Sequence, residues 1–299
     1  MEYHIIADGA CDLGEECAKR IGVEVVPFYV SFDDTTYKKE IEEIGVRDFY
    51  NHMVEEPGVF PKSSMPSVQD FFDVFEPHAK KGEPVICICI TTKFSGSYNS
   101  ATNAKNMILE TYPDAKITVI DSTLNTVTLG IFVREAARMK ADGVSYEENI
   151  SNLERIKSTG RIIFTIGNMD YLIHGGRVGK VMGVAANMLA IKPMILMKDG
   201  EIFSNGVARS RKKSIEKLYT QIRDNFKDNH LNPDHYEIVV GFGYDYEEAV
   251  GFRDHLLETL KEYSHIDKVD IFQIGATISV HTGPYPIGVG LLEKYDAQK

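Results

Sequence analysis

The chain contains no tryptophan and, in 299 residues, only four cysteines and eleven prolines. Four cysteines are too few to form a disulfide framework for a chain this long, and no C-x-x-C pair occurs. Cys87 and Cys89 alternate along an apolar run and read as small apolar residues, while Cys11 and Cys17 flank the first predicted helix. No apolar run approaches ~20 residues, so no membrane-spanning helix is expected. Nor does a basic start with an apolar core precede Tyr3-His4-Ile5-Ile6-Ala7-Asp8, so a cytoplasmic location is expected. Basic residues are outnumbered, 33 to 44, and the formal net charge of −11 argues against a nucleic-acid backbone or an anionic membrane as the main partner. The nine histidines are scattered, with no H-E-x-x-H and no Cys/His cluster, so no metal site is expected.

What is present describes a globular protein. Hydrophobic residues make up 43% and charged residues 26%, and the length suits one large domain or two ordinary ones. The first half alternates short apolar runs with helical periodicity. Strands are predicted over Tyr3–Ala7, Val23–Phe32 (with Pro27 inside it as an irregularity), Val85–Ile90 and Ile117–Ile120. Helices are predicted over Gly14–Ile21, Val46–Glu55, Val68–Phe75, Ser100–Thr111, Val127–Lys140 and Tyr146–Ser158. Such alternation implies an α/β fold with a mainly parallel sheet, whose ligands bind beyond the carboxyl ends of the strands. Asp8, Thr91–Ser97 and Asp121-Ser122 fall at such ends.

The pattern changes near Gly160. A strand over Arg161–Ile166 precedes an apolar helix candidate at Val181–Ile191. Next comes a hairpin, Lys192–Met197 and Glu201–Val207, turning on Lys198-Asp199-Gly200. Helices over Ser214–Phe226 and Tyr246–Glu262, with strands over Tyr236–Phe242 and Val269–Ile274, complete an α+β second domain. The expected domains are therefore 1–160 and 161–299, with the tail near 281–292 free to pack back at their interface.

One stretch stands out for its chemistry: Ile90-Thr91-Thr92-Lys93-Phe94-Ser95-Gly96-Ser97-Tyr98-Asn99-Ser100-Ala101. An apolar strand leads through hydroxyls and one glycine into a helix, leaving backbone N–H groups and the positive end of the helix dipole facing outward. It reads either as a site for phosphate or carboxylate, or as ordinary helix capping. Asp8-Gly9-Ala10-Cys11-Asp12 offers two carboxylates. Asp12 is expected to cap the next helix, and Asp8 to orient a group in the cleft. Gly241-Phe242-Gly243 lacks the third glycine of a dinucleotide fingerprint and reads as a turn. A serine hydrolase built on Ser95 and His281, with Asp8 or Asp121, has its residue types present, but the G-x-S-x-G elbow is missing. Two further loops carry polar groups: Lys62-Ser63-Ser64-Met65-Pro66-Ser67, whose last serine can cap the helix that follows, and His281-Thr282-Gly283-Pro284, read as a turn after a strand.

Taken in order, these segments resemble the DegV family of bacterial fatty-acid-binding proteins. The resemblance rests on Asp8-Gly9-Ala10-Cys11-Asp12-Leu13, Pro27, Ser63-Ser64-Met65-Pro66-Ser67, Phe94-Ser95-Gly96-Ser97-Tyr98 and Asp121-Ser122. It continues through Tyr171-Leu172, Gly175-Gly176-Arg177, Lys192-Pro193 with Gly200, Arg209, and His281-Thr282-Gly283-Pro284. It implies two α/β domains holding a long-chain fatty acid of the palmitate, stearate or oleate class, with the tail buried. It places the carboxylate at Ser63 and Ser95 with His281 in support, and Ser64, Gly96 and Thr282 beside them. Ser63 and Ser97 stand where the family commonly has Thr, and both keep a hydroxyl; with Ser95 taken as the head-group ligand, Ser97 is read as a helix cap. The resemblance further implies a binding protein without turnover of its own, using no cofactor or metal. Such a protein presents its acid, for phospholipid synthesis, to the ATP-binding subunit of a fatty acid kinase that docks near Arg177, and makes only transient membrane contact. The proposed tail walls are Phe71, Phe72, Phe94, Phe164, Met169, Met182, Met188 and Leu189. The hydrolase and a phosphate-binding protein remain the alternatives at this stage.

Overall fold

The computed structural model describes residues 2–181 and 191–297. The predicted helix at 181–191 falls almost wholly outside them, and with it Met182, Met188 and Leu189. The chain begins with β1 (His4–Asp8), α1 (Glu15–Ile21) and β2 (Val23–Val26). Pro27 does more than disturb the predicted second strand. It ends β2, and after Phe28 the chain enters β3 (Tyr29–Ser31) in a different sheet. Proline cannot donate to a ladder, so a strand crossing it changes partners there.

Next come β4 (Lys38–Lys39), α2 (Val46–Glu55), β5 (Lys62–Ser64) and α3 (Val68–Lys81). Ser67 caps α3 as expected: its hydroxyl accepts the Asp70 N–H while Asp70 accepts the Ser67 N–H. The half closes with β6 (Val85–Cys89), α4 (Ser97–Thr111), β7 (Ile117–Asp121), α5 (Thr126–Ala141) and α6 (Tyr146–Ile156). Strands β2-β1-β6-β7 form an all-parallel sheet in that order, and β4-β3-β5 a small antiparallel one.

The second half runs β8 (Arg161–Thr165), α7 (Asp170–His174), β9 (Lys192–Lys198), β10 (Glu201–Ala208), α8 (Arg211–Asp228) and β11 (Tyr236–Phe242). It ends with α9 (Tyr246–Lys261), β12 (Asp270–Gln273), α10 (Ala276–Thr282) and β13 (Ile287–Glu293). These strands form one mixed sheet in the order β10-β9-β8-β13-β11-β12, in which β11 and β12 are the only parallel pair among the described residues. The β9–β10 hairpin turns where expected, with Asp199 and Gly200 at φ 53° and 79°.

Helix α5 joins the halves. Twelve of its sixteen residues are buried. A helix buried on nearly every side needs cover all round. One core cluster supplies it, drawing Ile5, Ala7, Ile86 and Ile88 from the parallel sheet and Val239 and Leu292 from the mixed sheet. The far face of the parallel sheet packs on α3 and α4, and the far face of the mixed sheet on α8 and α9. The fold is thus α/β, with five layers sharing a central helix.

Candidate functional site

The cavity that gathers the predicted groups lies where all three sheets meet. It measures about 130 Å³ and is lined by Ser63, Ser95, Gly96, His281 and Thr282, with Arg177 beside them. Apolar walls come from Phe28, Ile90, Phe94, Phe164, Leu172, Ile202 and Ile278. A smaller inner cavity, about 40 Å³, continues behind it and shares Asn125, Phe164, Ile202, Ile278 and Thr282 as walls. Its other lining is almost wholly apolar, including Val127, Ile162, Met197, Ile274 and Ile287.

Each polar group is held by its element. Ser63 sits in β5, where pairing with Val30 of β3 fixes its register. Because side chains alternate along a strand, Ser64 is turned outward and does not line the cavity. The Thr91–Gly96 loop is held from both sides by strand-end carboxylates. Asp8 accepts the Ile90 N–H at 2.9 Å and the Ser97 hydroxyl at 2.7 Å, and Asp121 accepts the Thr92 hydroxyl at 2.6 Å. Burial pushes the Asp8 carboxyl up to about 6, although both hydrogen bonds oppose that shift. Ser97 is therefore not a cap for α4. The helix begins at the Gly96 N-cap, and the Ser97 side chain is fully buried against Asp8. Ser95 Oγ accepts the Ser97 N–H at 3.2 Å, which leaves its own O–H free to donate into the cavity. Asp12 does not cap α1 either. It is buried and accepts the Thr126 hydroxyl, while Gly14 stands at the N-cap.

His281 lies on the last turn of α10 rather than on a turn after a strand. Glu40, itself buried, accepts N–H groups of Ala276 and Thr277 and the Thr277 hydroxyl, and so fixes the start of that helix. His281 Nε2 faces the Ser63 hydroxyl at 3.4 Å, and Nδ1 has no hydrogen-bond partner among the described residues. Burial, and next the Arg177 charge, push the imidazole down to about 4, so the ring is neutral at pH 7. Gly175 packs against the ring so closely that a Cβ there would stand 2.1 Å from Nδ1.

The resemblance puts Arg177 near a docking surface, and the residue also borders the cavity. Its guanidinium donates to the carbonyls of Phe94 and Gly175, at 3.2 and 2.7 Å. Asn125 was missed. It accepts the Thr126 N–H at the start of α5, a capping signal visible in the sequence, and its position puts it in both cavities. Of the proposed tail walls, Phe94 and Phe164 line the cavity. Phe71 and Phe72 belong to the core beneath α3, and Met169 packs in the cluster around β8 to β10.

A larger cleft, about 540 Å³, lies between the first turn after β1 and β12. It is lined by Asp12, Glu15, Glu40 and Glu42 with one lysine, Lys19. It offers a carboxylate a single cation, Lys19, which is already paired with Glu15.

The fold and the cavity define a three-sheet α/β protein with a polar-mouthed, apolar-walled binding site. Residues 2–294 match the profile of the DegV family, described as a family of uncharacterised proteins, and the chain belongs to that family. A DegV domain-containing protein from Clostridium acetobutylicum is 32% identical over 289 residues, covering 97% of each chain. Among solved structures, a stearic acid-binding protein from Eubacterium ventriosum is 44% identical, with a TM-score of 0.93 over 98% of this chain and 99% of that one. A DegV family protein from Thermus thermophilus, described as binding fatty acid, is 25% identical with a TM-score of 0.86, over 98% of this chain and all (100%) of the other.

Proposed function

We propose that this protein binds one long-chain fatty acid, with the carboxylate at the outer cavity and the tail running inward. The observation that carries this reading is the convergence of the Ser63 and Ser95 hydroxyls, neutral His281 and Arg177 at the mouth of an apolar interior. A carboxylate taken from water must recover its hydrogen bonds, and these groups, with the Gly96 N–H and Thr282, are donors of the required kind. The stearic acid-binding relative at 44% identity supports the same ligand class.

The tail supplies most of the affinity. Each buried methylene contributes ~0.8 kcal/mol, so about fifteen contribute up to ~12 kcal/mol before association costs. The two cavities, about 130 and 40 Å³, are smaller than the several hundred Å³ usual for ligand pockets. Loading a long tail therefore requires the shared walls Phe164, Ile202 and Ile278 to part.

The protein performs no turnover of its own in this reading. It works in the cytoplasm and presents palmitate-, stearate- or oleate-class acids to the ATP-binding subunit of a fatty acid kinase. That subunit docks beside Arg177 and reaches the carboxylate, and the acyl phosphate enters phospholipid synthesis. The pairing of His281 with Ser63 rather than Ser95, and the lack of a carboxylate on its Nδ1 among the described residues, support binding over hydrolysis.

Gentle purification followed by mass spectrometry of extracted lipid tests the reading. One equivalent of fatty acid is expected, with exchange on adding oleate and no stoichiometric labelling of Ser95 by a fluorophosphonate. Repeated absence of lipid, with no uptake of oleate or palmitate, would rule the proposal out.

A further inference from the structure

At the opposite end of β1 from the cavity, three residues far apart in sequence meet. His4 opens β1, His78 lies in the last turn of α3, and Glu83 follows that helix just before β6. Glu83 Oε2 stands 3.2 Å from His4 Nε2 and 3.0 Å from His78 Nδ1. These three atoms all lie within 4.8 Å of one another. The other nitrogen of His78, Nε2, faces Glu24 Oε1 at 2.7 Å.

We propose that His4 Nε2, His78 Nδ1 and Glu83 Oε2 form a binding site for a zinc-class divalent transition metal, with water completing the coordination. The first argument is convergence. Buried His78 has a carboxylate at each nitrogen, and His4 directs its own nitrogen at the same Glu83 oxygen, so three ligand groups from separate elements point at one place.

Distance and chemistry agree. Zinc–nitrogen and zinc–carboxylate bonds of about 2 Å in a tetrahedron place neighbouring ligand atoms about 3.3 Å apart, close to the two Glu83 contacts. Two imidazoles and one carboxylate suit zinc, cobalt and nickel better than magnesium or calcium, which prefer oxygen alone. Glu24 supplies the outer carboxylate that commonly orients a metal-bound histidine. The rings stack at 4.1 Å with planes 30° apart, so closing the third edge takes a rotation of half-buried His4. Lys81, 3.9 Å from Glu83 Oε2, is the nearest competing cation in contact with that oxygen. Bound metal would tie together β1, α3 and the entry to β6, which makes the site structural.

Tag-free protein stripped by a chelator and titrated with Co²⁺ alone tests the site. One equivalent is expected to give the visible ligand-field absorption of a tetrahedral centre, displaced by Zn²⁺. Zn²⁺ should raise Tm, while Mg²⁺ and Ca²⁺ leave it unchanged. His4→Gln and Glu83→Gln, each checked for native circular dichroism, should weaken binding by about 100-fold or more, and Glu24→Gln by about 10-fold. No ligand-field absorption, or unchanged Co²⁺ affinity in both His4→Gln and Glu83→Gln, overturns the proposal. Lipid content is read separately, so failure here leaves the fatty-acid reading standing.

Discussion

Ser63 and His281, 218 positions apart, face each other with Oγ and Nε2 separated by 3.4 Å. The contact joins a short antiparallel strand of the first half to a helix of the second, and Glu40 holds that helix in place. A ligand carboxylate entering between Ser63, Ser95 and His281 would bridge elements that otherwise touch lightly.

Removing one hydroxyl should therefore weaken retention of the acid selectively. A hydrogen bond to a charged group contributes about 1.5–3 kcal/mol, so Ser63→Ala and Ser95→Ala are each expected to lower fatty acid affinity by about 10- to 100-fold. Affinity for the methyl ester should change much less. Competition with a fluorescent fatty acid measures both, and an equal loss for acid and ester would contradict the head-group assignment. Ser64→Ala, on the outward face of β5, should change neither.

The site also contributes opposing dependences on pH. His281, lowered from 6.5 to about 4, stays neutral when folded while the unfolded chain binds a proton, so its stability contribution rises with pH across that interval. Asp8, raised from 3.8 to about 6, keeps a proton that the unfolded chain releases, so its contribution falls as pH rises. The two slopes partly cancel. His281→Gln should remove the rising one and gain stability over wild type, comparing about pH 4.5 with about pH 7, by about 2 kcal/mol. Denaturant melts at the two pH values read this directly, and a variant with unchanged pH dependence would contradict it.

Gly175→Ala should displace the imidazole. Gly175 has an ordinary φ of −75°, so the cost is steric, set by the 2.1 Å approach to His281 Nδ1. A loss of about 1–3 kcal/mol in stability is expected, together with weaker lipid retention. Gly251→Ala, where an added Cβ meets nothing within 4 Å inside α9, should be stabilising by roughly 0.5–1 kcal/mol. Thermal melts and lipid analysis of the two variants separate crowding at the ring from a general effect of glycine loss.

Enlarging a shared wall should shorten the preferred tail. Ile278 borders both cavities, so Ile278→Phe narrows the passage between them. The mass spectrum of co-purified lipid is expected to shift toward shorter acyl chains, and an unchanged distribution would show that the tail does not pass that wall.

Much of this was legible in the sequence because it was local. The strand–helix alternation, the Ser67 capping box and the Asp199-Gly200 hairpin each rest on residues a few positions apart. Ser97 and Asp12 were misread for the complementary reason. Each sits where a cap is common, but its partner, Asp8 or Thr126, lies 89 or 114 positions away. His281 looked like a turn residue because the seven-residue helix that carries it is too short to show a period. The metal site had no motif at all, since positions 4, 78 and 83 meet only once the parallel sheet has formed.

The last strand also sets a clock. β13 stands in the middle of the mixed sheet, between β8 and β11, so β8 gains one of its two neighbours only when residues 287–293 have been made. About 120 residues separate the two strands, which at 5–20 residues per second amounts to roughly 6–24 s of synthesis. Throughout that interval the apolar lining around Ile162, Phe164 and Ile287 is incomplete. Until then the cavity has no closed wall on that side, so the proposed fatty-acid site is among the last features of the chain to form.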